Sequence, residues 1–136
     1  MRAVLRWFLI IFGAACALIA LAHIFIGPRT IIGANTPNAT LDGDIRMVMV
    51  LFLAYGLLCV WAARDLDRYA GLIHLLMLMF FVGGLVRLLT VAYVGWPHWF
   101  YIAMIVVEIV VPLIYSPLLR QVTGRPIGAG LAELTH

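Results

Sequence analysis

YAGLIHLLMLMFFVGGLVRLLTVAYVGWPHWFYIAMIVVEIVVPLIYSPLL, residues 69–119, decides the fold of this chain. The stretch holds only two formal charges, Arg87 and Glu108, and one cluster of turn residues, Gly95-Trp96-Pro97. About 20 helical residues are needed to cross roughly 30 Å of hydrocarbon. Residues 69–94 and 97–119 each meet that length, and Gly-x-Pro separates them. With hardly any loop between them, the two segments read as an antiparallel pair of transmembrane helices.

The same criterion applied toward the N-terminus gives spans at 4–26 and 44–63, broken by Gly27-Pro28, by residues 35–43 and by Arg64-Asp65-Leu66-Asp67-Arg68. The expected fold class is all-α: a polytopic membrane protein, one four-transmembrane-helix bundle over residues 1–120, followed by a short cytoplasmic tail, 121–136. Composition agrees, because 65% hydrophobic and 11% charged residues with a mean hydropathy of +1.12 exceed the roughly 45–50% apolar content of soluble domains. The net charge of +3 comes from arginines. Most of them end apolar runs, so they read as orientation signals and anionic-lipid contacts, and nucleic acid is not an expected partner. Cys16 and Cys59 lie inside apolar runs without metal-ligand spacing and read as buried thiols. No metal motif is present, and no cofactor is expected.

Arg2, Arg6, Arg64, Arg68, Arg120 and Arg125 fall on one side of this arrangement, whereas Arg29 and Arg46 fall on the other. The positive-inside rule then places both termini in the cytoplasm, with a bacterial inner membrane as the expected location. Trp7 and Trp61 mark the inner interface, and Trp96 and Trp99 the outer one. Arg2, Arg6 and Ala20-Leu21-Ala22 imitate a cleavable signal peptide, but the apolar run continues to Ile26, which favours a retained first span. In the long connection, residues 27–43, Thr30-Ile31-Ile32 could dip into the interface as a lid or lie on the surface, and Asn38-Ala39-Thr40 matches a glycosylation sequon.

A charge in hydrocarbon costs roughly 2.5–3.5 kcal/mol on insertion scales, so intramembrane charges face a bundle interior, a partner or water. Counted at 1.5 Å per residue, Arg87 lies about 11 Å and Glu108 about 16 Å from the outer turn. Their helices are sequential and antiparallel, and an Arg87–Glu108 ion pair is expected. His23, near the outer end of the first span, and Asp44 and Arg46, at the start of the second, stand at neighbouring levels. On the fourth helix Tyr101, Met104, Glu108, Pro112 and Tyr115 share one face, with two tyrosines flanking the acid; Tyr55 belongs to a stripe with Asp44 on the second helix. Pro112 cannot donate to the Glu108 carbonyl, which leaves that carbonyl in want of a partner. Gly83 and Gly84, one turn before Arg87, permit close approach. Each group also has an ordinary structural reading: the ion pair can fix helix register, Asp44 can complement a helix dipole, and His23 and His74 can be locally hydrogen-bonded.

Asp44-Ile45-Arg46, Tyr55-Gly56, Gly83-Gly84 with Arg87, Gly95-x-Pro97 and Glu108 together resemble the pattern of a group of small four-helix bacterial membrane proteins known only as a domain of unknown function. The resemblance covers roughly residues 4–118 and implies fold and location without chemistry. A looser architectural similarity is to emopamil-binding and sigma-receptor type bundles, which enclose an apolar ligand beside intramembrane carboxylates.

The expected function is binding of a hydrophobic small molecule or lipid in an intrabundle pocket, with Arg87, Glu108, Tyr101, Tyr115, Tyr55, Arg46 and His23 as the ligand-binding residues. One alternative is a cofactor-free isomerase or cyclase acting on an isoprenoid or sterol-like substrate, with Glu108 or Asp44 exchanging the proton. Another is an accessory subunit that packs through small-residue faces into a homo-oligomer or larger membrane complex. Membrane lipids are partners in every case.

Overall fold

The structure, a computed structural model, describes residues 1–27 and 39–124. Within them the chain is helical and contains no strand: α1 Arg2–Ile26, α2 Ala39–Ala62, α3 Ala70–Val94 and α4 Trp99–Thr123. Each helix is long and apolar enough to cross a membrane. Only 17% to 28% of each apolar window is buried within the chain, so most of this surface needs a nonaqueous surrounding, which a bilayer supplies. Arg29, the 30–32 segment, the sequon residue Asn38, Arg125 and most of the expected tail lie outside the described residues.

Two boundaries differ from expectation by more than two residues. The second helix begins at Ala39 rather than at position 44, running through Gly43, whose missing side chain lowers helix propensity without forbidding the conformation. The fourth continues to Thr123, where Gly124 at φ 71° donates its N–H to the Arg120 carbonyl at 2.8 Å.

The chain divides into two compact units. One comprises Trp7–Ala63, with most of α1 and α2. Here Gly13 and Gly56 mark a close crossing: a Cβ added to either would lie 2.5 Å from the other's carbonyl oxygen, so only glycine lets these backbones approach so far. Cys16 and Cys59 flank the crossing as buried thiols. At the end of α1, Gly27 adopts φ 83° and the Arg46 guanidinium lies against it, which no side chain at position 27 would permit.

The other unit comprises Met1–Arg6 and the chain from Arg64 onward. The α3 and α4 helices pack on each other as an antiparallel pair. Ala70, Ile73, Met77, Phe80 and Gly84 form the buried stripe of α3, and Ile105, Glu108, Pro112, Tyr115 and Leu119 that of α4, each at three- and four-residue spacing. Glu108 therefore stands in the packing seam itself. The turn is possible because Gly95, at φ 115°, occupies backbone space reserved for glycine. His98 then caps α4, its Nδ1 accepting the Phe100 N–H at 3.3 Å. At the other end of the unit, Arg2 pairs with Asp67 and donates to the Val122 carbonyl, and the Tyr115 hydroxyl donates to the Leu5 carbonyl at 3.0 Å.

Candidate functional site

Arg87 and Glu108 meet in the seam of α3 and α4. Arg87 Nε donates to Glu108 Oε1 at 3.1 Å. The two side chains differ sharply in exposure, 46% for Arg87 and 8% for Glu108. Helix geometry explains this: Glu108 lies on the buried stripe of α4, whereas Arg87 extends the α3 stripe one turn beyond Gly84. Gly84 makes the approach possible, since a Cβ there would lie 2.9 Å from Glu108 Cβ. The carboxylate is thereby held against α3 and meets the arginine from beneath.

The remaining polar atoms of the pair are used unequally. Glu108 Oε2 is buried with no hydrogen-bond partner among the described residues. Arg87 engages only Nε, and its planar group lies 5.7 Å from the centre of the Tyr101 ring. Nη1 and Nη2 make no hydrogen bond among the described residues, on a side chain that is about half exposed. Pro112, one turn after Glu108, also removes the donor that would have met the Glu108 carbonyl.

An apolar groove of about 500 Å³ runs along the exposed flank of α3, lined by Leu78, Met79, Val82, Gly83 and Val86, and so ends one residue before Arg87. Gly83 makes its floor, because nothing lies within 4 Å of where its Cβ would be. Its neighbour Gly84, about 100° round the helix, faces the seam instead. The adjacent glycines therefore do different work, one admitting Glu108 and the other leaving surface open.

The other residues expected at the site are distributed elsewhere. Tyr101 does join Arg87, but Tyr115 does not flank the acid: its hydroxyl is spent on the Leu5 carbonyl, nearly two turns farther along α4. Arg46 reaches Asp42, Nε to Oδ1 at 2.9 Å, and its Nη1 donates to the Ile24 carbonyl at 2.7 Å. It thus places a cation at the C-terminus of α1, where the helix dipole and orphan carbonyls favour one. Asp44, the acid expected at this level, is exposed, and Asp42 does the pairing. The i,i+4 spacing of Asp42 and Arg46 was the available signal, hidden by treating Gly43 as a break. His23 Nδ1 donates to the Ile19 carbonyl at 2.8 Å, a bond within its own helix. Tyr55 lies among aromatic rings, edge-on to Phe12 and stacked with Phe52. Among the described residues no cluster of ligands suited to a metal ion occurs.

A chain of four membrane-crossing helices with one buried acid and one half-exposed arginine in the seam of a helical hairpin belongs to the integral membrane proteins. Across residues 4–119 it matches the model of the family described as "Domain of unknown function (DUF4345)", and it belongs to that family. No curated protein and no solved structure gives a significant match.

Proposed function

We propose that this protein binds a hydrophobic small molecule or lipid within the membrane, holding the polar end of that ligand at the Arg87–Glu108 pair. The observation that carries the reading is the state of Arg87: one nitrogen is bonded to Glu108 at 3.1 Å and two have no hydrogen bond among the described residues, on a half-exposed side chain that follows directly on Val86 of an apolar groove. A purely architectural ion pair would favour full mutual engagement, because each unmade hydrogen bond in hydrocarbon is costly. Binding is favoured over isomerase or cyclase chemistry, since a proton-transferring Glu108 would need an accessible oxygen. Oε1 is engaged by Arg87 and Oε2 is enclosed.

A second reading, an accessory subunit of a larger membrane complex, is supported by the open surface at Gly83, where the missing side chain leaves room for another helix. We further propose a bacterial cytoplasmic membrane with both termini inside, supported by the distribution of arginines among the connections.

The test of the main reading is thermal unfolding of the detergent-purified chain with and without added membrane lipid extract. Stabilisation by the extract is expected in the parent and reduced in Arg87→Leu and Glu108→Leu, with both variants remaining helical and folded. Undiminished stabilisation in both variants would remove the pair from any binding role.

A further inference from the structure

The occupant of the α3 groove can be specified from what surrounds it. Gly83 and Arg87 are one turn apart on neighbouring positions of the helix surface, so Arg87 stands just past the Gly83–Val86 end of the groove. From Leu78 to Arg87 is nine residues, about 13 Å along the axis, a length suited to an extended hydrocarbon chain lying against the helix. Its lining of Leu78, Met79, Val82 and Val86 offers no polar group from a side chain. At the end where Arg87 stands, Tyr93, Trp96 and Trp99 are strongly exposed, as aromatic side chains are at a membrane–water interface. Arg87 is seven residues, about 10 Å, from the end of α3, so its long side chain can extend toward the headgroup layer on that side.

The chemistry of the polar end follows from which nitrogens remain. Guanidinium presents its donors in a rigid fork that matches two oxygens of a phosphate. Glu108 takes Nε, which leaves the Nη1 and Nη2 edge, the edge suited to two-point contact with an oxyanion. Glu108 is then a positioning residue: buried and fixed in the seam, it orients the guanidinium while its own carboxylate stays out of reach of a ligand. A cation at the end of an apolar groove, close to an interfacial aromatic belt, is complementary to an amphiphile that is anionic at the end of its chains.

Resting on the binding reading above, we infer that the ligand is a phospholipid of the surrounding bilayer, one acyl chain along Leu78, Val82, Gly83 and Val86 and its phosphate on Nη1 and Nη2 of Arg87. Glu108 sets the direction of the arginine, Gly83 makes room for the chain, and the Tyr101 ring supports the guanidinium from the side.

Native mass spectrometry of the full chain in detergent, titrated with dioleoyl phosphatidylglycerol or with dioleoyl glycerol, separates the two parts of this assignment, because the second lipid has the same chains and no phosphate. The phospholipid is expected to bind on the order of tenfold more tightly. Arg87→Gln is expected to erase that preference while diacylglycerol binding persists, and Gly83→Phe to weaken both lipids. Circular dichroism checks each variant; where either loses helicity, Arg87→Met and Gly83→Leu replace them, with the same expected directions. Equal affinity of the parent for the two lipids, with both lost in Gly83→Phe, would overturn the phosphate assignment and leave the hydrophobic-ligand reading standing. Binding that neither substitution changes would overturn both. Inorganic phosphate at matched concentration is expected to leave the phospholipid bound, and its displacement would show that the chain contributes nothing. A diazirine at the end of one acyl chain should label the 78–86 segment of α3; labelling confined to other helices would overturn the placement.

Discussion

Gly84 and Glu108 pack so closely that a methyl group on the glycine would stand 2.9 Å from Glu108 Cβ, nearer than side chains in contact can be. The adjacent Gly83 has open space in the same test. Gly84→Ala should therefore push α3 from α4 at the level of the ion pair and cost about 1–3 kcal/mol, the usual range for overpacking. Gly83→Ala should stay within about 0.5 kcal/mol of the parent or stabilise slightly by restricting the unfolded chain. Unfolding of the two single variants in the same detergent compares them directly. Equal losses would mean that the glycines are not divided between seam and surface.

The two members of the ion pair should respond unequally to removal. Arg87→Leu leaves a buried carboxylate without its partner, whereas Glu108→Gln keeps an oxygen able to accept from Nε, so the arginine variant should be the less stable. Coupling energies for polar pairs between membrane helices average about 0.6 kcal/mol and reach about 1.7 kcal/mol, which leaves both variants folded. A double-mutant cycle with Arg87→Leu and Glu108→Leu should return a coupling in that range. A coupling indistinguishable from zero would contradict the hydrogen bond at 3.1 Å.

Tyr115 and Arg2 both tie the first residues of the chain to α4, but at different depths. Tyr115 is buried and donates to the Leu5 carbonyl, so Tyr115→Phe should cost about 0.5–1.5 kcal/mol by removing that buried hydrogen bond. Arg2 is half exposed, and exposed ion pairs contribute about 0–1 kcal/mol, so Arg2→Ala should be the milder change. Amide exchange in the first turns of α1 should quicken more in Tyr115→Phe than in Arg2→Ala. The reverse order would show that the surface contact, not the phenol, restrains this end.

The spans were legible because mean hydropathy and length are properties of the residues themselves, and the Arg87–Glu108 contact because two sequential antiparallel helices leave little freedom in which depths can meet. Tyr115 was not. Period 3.6 puts it on the face of Glu108, yet seven residues carry it about 10 Å along the axis, and its acceptor is a backbone carbonyl that no side chain advertises. Asp42 escaped for a different reason, since Gly43 looked like an end and the helix passes through it at a modest cost in propensity. The groove on α3 could not be foreseen from Gly83-Gly84, because which of two adjacent glycines faces a neighbour depends on helix rotation, a tertiary quantity.

Asp42 and Asp44 offer a test of that helical extension. Arg46 bonds Asp42 and the Ile24 carbonyl, and Asp44 is exposed. Asp42→Asn should weaken the junction between the end of α1 and the start of α2 by a few tenths of a kcal/mol, the scale of an i,i+4 pair, with high salt reducing the difference. Asp44→Asn should leave stability unchanged. Arg46→Leu should exceed both, because it also strips the C-terminus of α1 of its cation and of a donor to a helix-end carbonyl. A larger effect from Asp44→Asn than from Asp42→Asn would place the start of α2 nearer residue 44.

Gly13 and Gly56 supply the last test, since each occupies the position where the other's carbonyl would collide with any side chain. Gly13→Ala and Gly56→Ala should each separate α1 from α2 at a cost of about 1–3 kcal/mol. Their losses should not add: once one alanine has parted the backbones, the second meets relieved space. Cys16 and Cys59 flank this crossing and are buried, so they report on it without modification of the parent. Reaction with a membrane-permeant maleimide should be slow in the parent and faster in either alanine variant, because a thiol must reach the reagent before it can attack. Labelling that remains slow in a variant with lowered stability would mean that strain is absorbed within one helix and the crossing stays closed.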